Sequence, residues 1–578
     1  MRWSAMMKTP MPWKLCLALL LITARKGTCL IQKGYLSAVI SSRVRPSVLD
    51  VWSDPDDGGR LTYPKLDPLW GRTTMCINED SPHKKMLGVG FDFGTSGVRA
   101  VVVDVEGKVE FDSSLHWGRP DDPDEWLRAA DTLISEIPLA ARRHLSRICV
   151  SGTSASCLLV DAHDPSRVVR GPRMYNYNTL TEMPEAATEA LARLERIAPG
   201  RHTTLSGTSA LMKLVSWHVE STITHGEAFC HQADYVSAHI RGARGSGSIR
   251  SDWNNALKAG FDVERLTWPD WLLESELGQE LRHCLPKVVM PGATLGPVSA
   301  AMAHRFGLPS SCQVIAGTTD SIAAFIAANA TEPGHAVTSL GSTLAIKMLS
   351  EHRVEDASRG VYSHRLGKVV EREPAPGASA MVGASSPRRG GSGAGEEGAG
   401  ASGLWLVGGA SNVGCAVLRT EGFLASELES LSAEINPSVD SPLTEYYPLP
   451  RGTRGERFPT NDILRESVLD PRPENRTAYL HGLLQAIARV EKQGYDTLEA
   501  LGATKLGRVD TAGGGAANSM WSKMRERILG VPTGKAENTD AAYGCALLGM
   551  QGLKTRQSPA AAAAAVRVND DGTGGSGG

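Results

Sequence analysis

The stretch that most restricts how this chain can fold is residues 86–105, MLGVGFDFGTSGVRAVVVDV, which reads as two apolar strands joined by a turn carrying Asp92, Gly94, Thr95, Ser96 and Gly97. Val101, Val102 and Val103 are β-branched, and the Gly-Thr-Ser-Gly insert supplies the loose backbone a tight hairpin needs. Glycines let a main chain approach a polyphosphate. Thr95 and Ser96 offer hydroxyl and amide donors, and Asp92, at the end of the first strand, can hold a divalent ion directly or through water. A plain hairpin in which Asp92 only caps the turn would use the same residues, so the reading depends on what else the chain carries.

With 578 residues, the chain exceeds one ordinary domain, and two large domains are the natural expectation. Lys plus Arg total 61 against 63 Asp plus Glu, a balance that argues against a nucleic-acid footprint and against a polybasic membrane surface. The charge is unevenly spread. Residues 1–49 hold eight Lys or Arg and no acid, leaving 53 basic against 63 acidic residues in the remainder. Within that segment KLCLALLLI (14–22) is too short to span a bilayer and is shaped like a secretory apolar region, while 25–49 is basic and serine-containing. The combination resembles the tandem leaders of plastid proteins and implies import into the plastid stroma with the leader cleaved and no membrane segment in the mature form. An ordinary signal peptide or a different gene start, with a cytoplasmic protein, is the alternative. The ten cysteines form no CxxC pair and mostly fall in apolar runs, which suits buried thiols rather than a disulfide framework or a metal cluster.

In chain order, 50–85 reads as a linker and 86–332 as a first domain. Strands are expected near 108–112, 147–151 and 157–161, and helices at 124–144, 184–197 and 210–219; 251–261 fits no single pattern. The loop SGTSAS (151–156) is small and hydroxyl-rich, as a pocket lining would be. VIAGTTDSIAAFIAANA (314–330) runs a short strand into a turn ending at Asp320, at the start of a small-residue helix, where an acid is favoured by the exposed amides whether it caps or reacts. A second domain, 335–552, opens with a strand, a Gly341-Ser342-Thr343 turn and a strand at 344–348, repeating the logic of the first hairpin. LWLVGGASNVG (404–414) puts Gly409 after an apolar strand, 477–494 is helical, and GGGAANSMW (513–521) opens an amphipathic helix marked by Met520, Met524 and Ile528. A Gly/Ala/Ser-rich tract at 373–402 is expected to be a disordered surface insertion, and 553–578 a low-complexity tail.

DFGTSG at Asp92, GTTD at Asp320, LGST at Gly341 and GGGAANSMW at Gly513, in this order, resemble the motif set of the FGGY carbohydrate kinases. The resemblance runs from about residue 86 to 552. It implies an α/β fold of two ribonuclease-H-like domains of the actin, Hsp70 and sugar-kinase superfamily, with mixed sheets around a central cleft, and it implies ATP and Mg2+ as cofactors and a small-molecule sugar as partner. Carried across, Asp320 matches the catalytic base and Asp92 the carboxylate shared by metal and sugar. Thr95, Ser96, Gly97, Gly341 and Ser342 would cradle phosphates, and Gly409, Gly514, Gly515 and Asn518 would hold the rest of the nucleotide, with Asn518 within reach of the base. Trp521 reads either as core or as a base contact. Around the sugar pocket the chain departs from the commonest pattern: Ser151–Ser156 stands where xylulose kinases usually read SGQMHG, and Tyr175-Asn176-Tyr177-Asn178 where they have Trp-Asn-Asp-x-Arg. The first departure is similar to the plant and cyanobacterial D-ribulose kinases, and it makes Ser154 a candidate sugar contact and D-ribulose the expected substrate, with D-xylulose or another polyol as the alternative. A superfamily member that only cycles nucleotide would have no need of Asp320.

Overall fold

The computed structural model describes residues 86–200, 202–366 and 403–554. The leader, the linker, the 373–402 insertion and nearly all of the tail lie outside the described residues. β1 (Leu87–Phe93), β2 (Gly97–Val103) and β3 (Val109–His116) form an antiparallel meander, and β4 (Leu145–Gly152) adds parallel to β1. The chain then leaves this sheet. β5 (Cys157–Asp161), β6 (Val168–Arg173) and β7 (Glu227–His231) make a small antiparallel sheet, and β8 (Arg250–Asp252) pairs with β9 (Lys287–Val289). It returns through β10 (Thr294–Pro297) and β11 (Gln313–Ile315), completing the order β10-β11-β4-β1-β2-β3. The second half builds β12 (His335–Leu340), β13 (Leu344–Ser350), β14 (Tyr362–Leu366), β15 (Leu404–Ser411), β16 (Arg508–Ala512) and β17 (Thr533–Lys535) in the order β14-β15-β13-β12-β16-β17. Both sheets therefore set an antiparallel hairpin beside strands added in parallel, the same pairing pattern twice.

Alternation along β1 explains how the halves meet. Leu87, Val89, Phe91 and Phe93 point into one core, with Trp126 and Leu133 of the Pro123–Glu136 helix. Gly88, Gly90 and Asp92 share the opposite face. A Cβ on Gly90 would lie 2.1 Å from the Ala542 carbonyl oxygen, so glycine is what lets the Ala541–Lys554 helix settle directly on the strand. That last helix, which sequence order groups with the second domain, thus packs on the first sheet. Against it lies the Asp320–Ala327 helix, so tightly that a Cβ on Gly544 would meet the Ala323 carbonyl at 1.8 Å. The far side of the Asp320–Ala327 helix, through Ile322 and Phe325, packs on Val337, Leu349 and Leu406 of the second sheet. Two helices are therefore sandwiched between two sheets.

The region that fitted no single pattern is the short β8 strand followed by the Trp253–Leu257 helix, whose N-cap Asp252 accepts from the amides of Asn254 and Asn255 at 2.9 and 3.2 Å. No described helix is long and apolar enough to cross a membrane. The seven cysteines among the described residues are all free, and six of them are buried.

Candidate active site

Strand register brings the first group of candidates together. Asp92 pairs with Ser151 and Phe93 with Gly152 across β1 and β4, and Gly152 in turn bridges to Thr319 just beyond β11. Asp92, the Ser151–Ser156 loop and Asp320 are thus aligned along the carboxyl ends of three neighbouring strands, where open α/β sheets bind their ligands. The Ser151 hydroxyl lies 3.1 Å from both the Asp92 Oδ1 and the Phe91 carbonyl. Burial, then the charge of Asp320, pushes the Asp92 carboxyl up to about 7, against the Ser151 bond and Arg99. Burial also raises Asp320, opposed by the Ser321 amide, which donates to its Oδ1 at 2.6 Å, and by the Lys347 ammonium. Asp320 is not the helix cap. Thr319 holds that position, and Asp320 sits in the first turn, where free amides favour a carboxylate.

The loop beside these carboxylates is held from below. The Lys213 ammonium, fully buried, donates to the Ala155 and Met174 carbonyls at 2.9 and 2.7 Å, and burial pushes it down to about 8. Gln232 Oε1 accepts from the Thr153 amide and hydroxyl at 3.1 and 3.0 Å. Ala155 takes the left-handed conformation, φ 65°, and the neighbouring Ser154 hydroxyl is buried without a protein partner. Neither Lys213 nor Gln232 was singled out from sequence. The available signal was a lysine inside the apolar run ALMKLVSW. Of the Tyr175–Asn178 segment, Asn178 caps a helix through the Leu180 amide at 3.1 Å, and the Arg173 guanidinium lies 5.3 Å from the Tyr177 ring centre.

Thr95 and Ser96 are exposed at the tip of the first hairpin, closed by the Gly94 amide donating to the Gly97 carbonyl at 2.9 Å. The second group of candidates surrounds a cavity of about 920 Å³ in the other half, lined among others by Gly341, Ser342, Gly514, Gly515 and Asn518. The Gly341 and Ser342 carbonyls accept from the Cys415 and Ala416 amides at 2.9 and 3.1 Å, and the Arg419 guanidinium donates to Ser342 Oγ at 3.1 Å. Gly513, φ 81°, packs a Cβ-less backbone against the Leu340 carbonyl, whereas a Cβ on Gly514 would meet nothing within 4 Å. Asn518 caps the Ser519–Leu529 helix through the Trp521 amide at 2.9 Å and donates to Ser432 Oγ at 2.8 Å, so its side chain is already engaged. Trp521 takes the core role while also facing the cavity: it is buried and its indole N–H donates to the Leu484 carbonyl at 2.9 Å. Behind this wall a buried Arg525–Glu491 pair, bonded through two nitrogens at 2.7 and 2.6 Å, ties the Ser519–Leu529 helix to the Arg476–Ala500 helix.

Gly409 is the exception. It sits within β15 opposite Ile346, and a Cβ there would lie 2.3 Å from the Phe458 ring, so the absent side chain makes room for an aromatic rather than a nucleotide. It is not among the residues that line the cavity.

Comparison with known proteins gives the same orientation. Residues 87–327 match the model described as "FGGY family of carbohydrate kinases, N-terminal domain". The xylulose kinase of Klebsiella pneumoniae is 23% identical over 286 residues, 48% of this chain and 57% of that protein, so the chain spans little more than half the length of this curated relative. Among solved structures, glycerol kinase of Plasmodium falciparum with ADP superposes with a TM-score of 0.65 at 13% identity, covering 84% of this chain and 92% of that one. Ligand-bound xylulose kinase of Lactobacillus acidophilus gives 0.61 at 16% identity, covering 81% and 90%. The fold is accordingly the two-domain, actin-like α/β fold of those kinases.

Proposed function

We propose that this protein is a carbohydrate kinase that transfers the terminal phosphoryl group of ATP to a hydroxyl of a ketopentose, with D-ribulose preferred. The observation that carries the reading is the convergence of two half-buried carboxylates, Asp92 and Asp320, at the carboxyl ends of strands that flank β4 on either side. A protein that only hydrolyses or exchanges nucleotide has no use for a second carboxylate facing a hydroxyl acceptor.

The roles follow from the chemistry. Asp320 accepts the acceptor hydroxyl's proton as the oxygen attacks the γ-phosphorus and the bond to the β–γ bridging oxygen breaks, giving a sugar phosphate and ADP. Asp92, whose carboxyl is pushed up to about 7 by burial in the free protein, bonds a sugar hydroxyl or an ion once its surroundings change. Among the described residues no group of three or more His, Cys, Asp or Glu side chains is arranged to hold a metal. Mg2+ held mostly by phosphate oxygens and water needs only one or two protein carboxylates, and Asp92 fits that demand. When bound, the ion supplies neutralisation of phosphate charge. The glycine-lined cavity takes the nucleotide: Gly514 leaves a flat opening, and Ser342 with Arg419 presents donors to phosphate.

The preference for D-ribulose rests on Ser154. A hydroxyl buried without a partner is costly unless a ligand completes it, and one that both donates and accepts can read the orientation at carbon 3, where the two ketopentoses differ. Coupled ADP detection with D-ribulose, D-xylulose and glycerol tests the reading. D-ribulose should give the highest kcat/KM, and Ser154→Ala should narrow the gap between the epimers by about tenfold. Equal values for both sugars in the wild type, or an unchanged preference in the variant, would remove Ser154 from this role and leave D-xylulose an equal candidate.

A further inference from the structure

Lys347 lies in the middle of β13, in the sequence LAIKMLS, and plays no part in the motif reading. Leu344, Ile346 and Met348 of this strand face the second core. The alternate residues face the sandwiched helices, and there Leu349 packs with Ile322 and Phe325. The lysine reaches across to the first turn of the Asp320–Ala327 helix, where its Nζ donates to the Ser321 carbonyl at 2.8 Å. Ser321 is also the residue whose amide donates to Asp320 Oδ1 at 2.6 Å. One residue is thus gripped from the second sheet through its carbonyl and grips the Asp320 carboxylate through its amide.

We propose that Lys347 is a positioning residue for Asp320: from the second sheet it fixes the helix turn that aims the carboxylate at the acceptor hydroxyl, so the base is correctly set only when both halves of the molecule are in register. The proposal rests on the kinase reading above. Its energetics agree with its geometry. Burial pushes the Lys347 ammonium down to about 8, so the position carries a desolvation cost that a purely structural filler would not incur, and the Asp320 charge is the main influence opposing that shift. Lys258 adds repulsion, which leaves Asp320 as the carboxylate that favours the charged form of Lys347.

The test compares Lys347→Met and Lys347→Arg with the full-length wild-type protein, measuring kcat, both KM values, ADP affinity and the melting midpoint. Loss of aim without loss of binding should lower kcat in Lys347→Met by about tenfold to a hundredfold while both KM values and ADP affinity stay within about threefold. Lys347→Arg, which keeps charge and donors, should recover most of that loss. If Lys347→Met does not fold, Lys347→Gln, with a shorter uncharged donor, carries the same comparison. A wild-type kcat in the uncharged variants, or a change confined to KM, overturns the proposal while sugar-dependent turnover of the wild type keeps the kinase reading intact. No sugar-dependent turnover in the wild type overturns both.

Discussion

The carboxyl end of the first sheet and that of the second are built on the same strand pattern and finished with opposite chemistry. On the first, three strand ends converge on half-buried carboxylates, Asp92 and Asp320, and a hydroxyl-rich loop. On the second, the corresponding turns are glycines and a serine around a cavity of about 920 Å³, with Arg419 hydrogen-bonded to Ser342. The lesson is that the backbone sets where a ligand lies, and the side chains at the strand ends set which ligand it is. Acids suit a neutral polyol that must give up a proton. Bare backbone amides and an arginine suit a polyphosphate.

The sharpest way to break this division is Asp320→Ala. Removal of a general base should reduce sugar phosphorylation by about 10²–10⁴-fold. ADP affinity should be unchanged, because the cavity proposed for the nucleotide is lined by residues of the other half. Parallel loss of ADP binding would show that the two ends do not divide the labour. Gly514→Val probes the other side. Its Cβ meets nothing within 4 Å, so the fold should tolerate the change while KM for ATP rises by about tenfold and KM for sugar does not move. A rise confined to the sugar would invert the assignment.

Gly409→Ala should behave differently from Gly514→Val although the sequence offers both glycines to the nucleotide. Its new methyl would overlap the Phe458 ring, and overpacking of this kind costs about 1–3 kcal/mol, visible as a lower melting midpoint with KM for ATP unchanged. A selective effect on ATP would restore Gly409 to the nucleotide site.

These contrasts also show what the sequence revealed. The first hairpin was legible because alternation and a Gly-Thr-Ser-Gly turn are local signals, and Asp320 because a strand, a turn and a small-residue helix follow one another within a few residues. The surroundings of Gly409 were not legible, because LWLVGGAS looks the same whether its glycines face phosphate or an aromatic, and the neighbour it packs against, Phe458, is far along the chain. Gln232 and Lys347 gave no signal for the same reason, and Lys213 gave only that of a lysine inside an apolar run. Each acts on a carbonyl or amide of a distant segment, at Ala155, Thr153 and Ser321 respectively. The packing of the Ala541–Lys554 helix on β1 depends on Gly88 and Gly90, whose meaning appears only when the helix is in place.

The smallest expected effect is on stability. The folded Asp92 carboxyl is raised to about 7 from a usual value near 3.8. The folded form therefore holds a proton that the unfolded form has lost, and the wild type loses stability as pH rises from about 4 through about 7, then levels off. Asp92→Asn does not titrate. In urea melts without divalent ions its stability relative to wild type should rise between pH 5 and pH 8 by on the order of 1–2 kcal/mol. A difference independent of pH would mean that Asp92 is already ionised and paired, contrary to the first sheet's end as described.

The central claim is that the two ends act together on a sugar hydroxyl. ADP release measured with and without D-ribulose, in the wild type and in Asp320→Asn, addresses it directly. The account predicts near-background ATP turnover without sugar, a rise of at least about tenfold with it, and no such rise in Asp320→Asn. Turnover independent of sugar, or sugar-stimulated turnover that survives in Asp320→Asn, would contradict it.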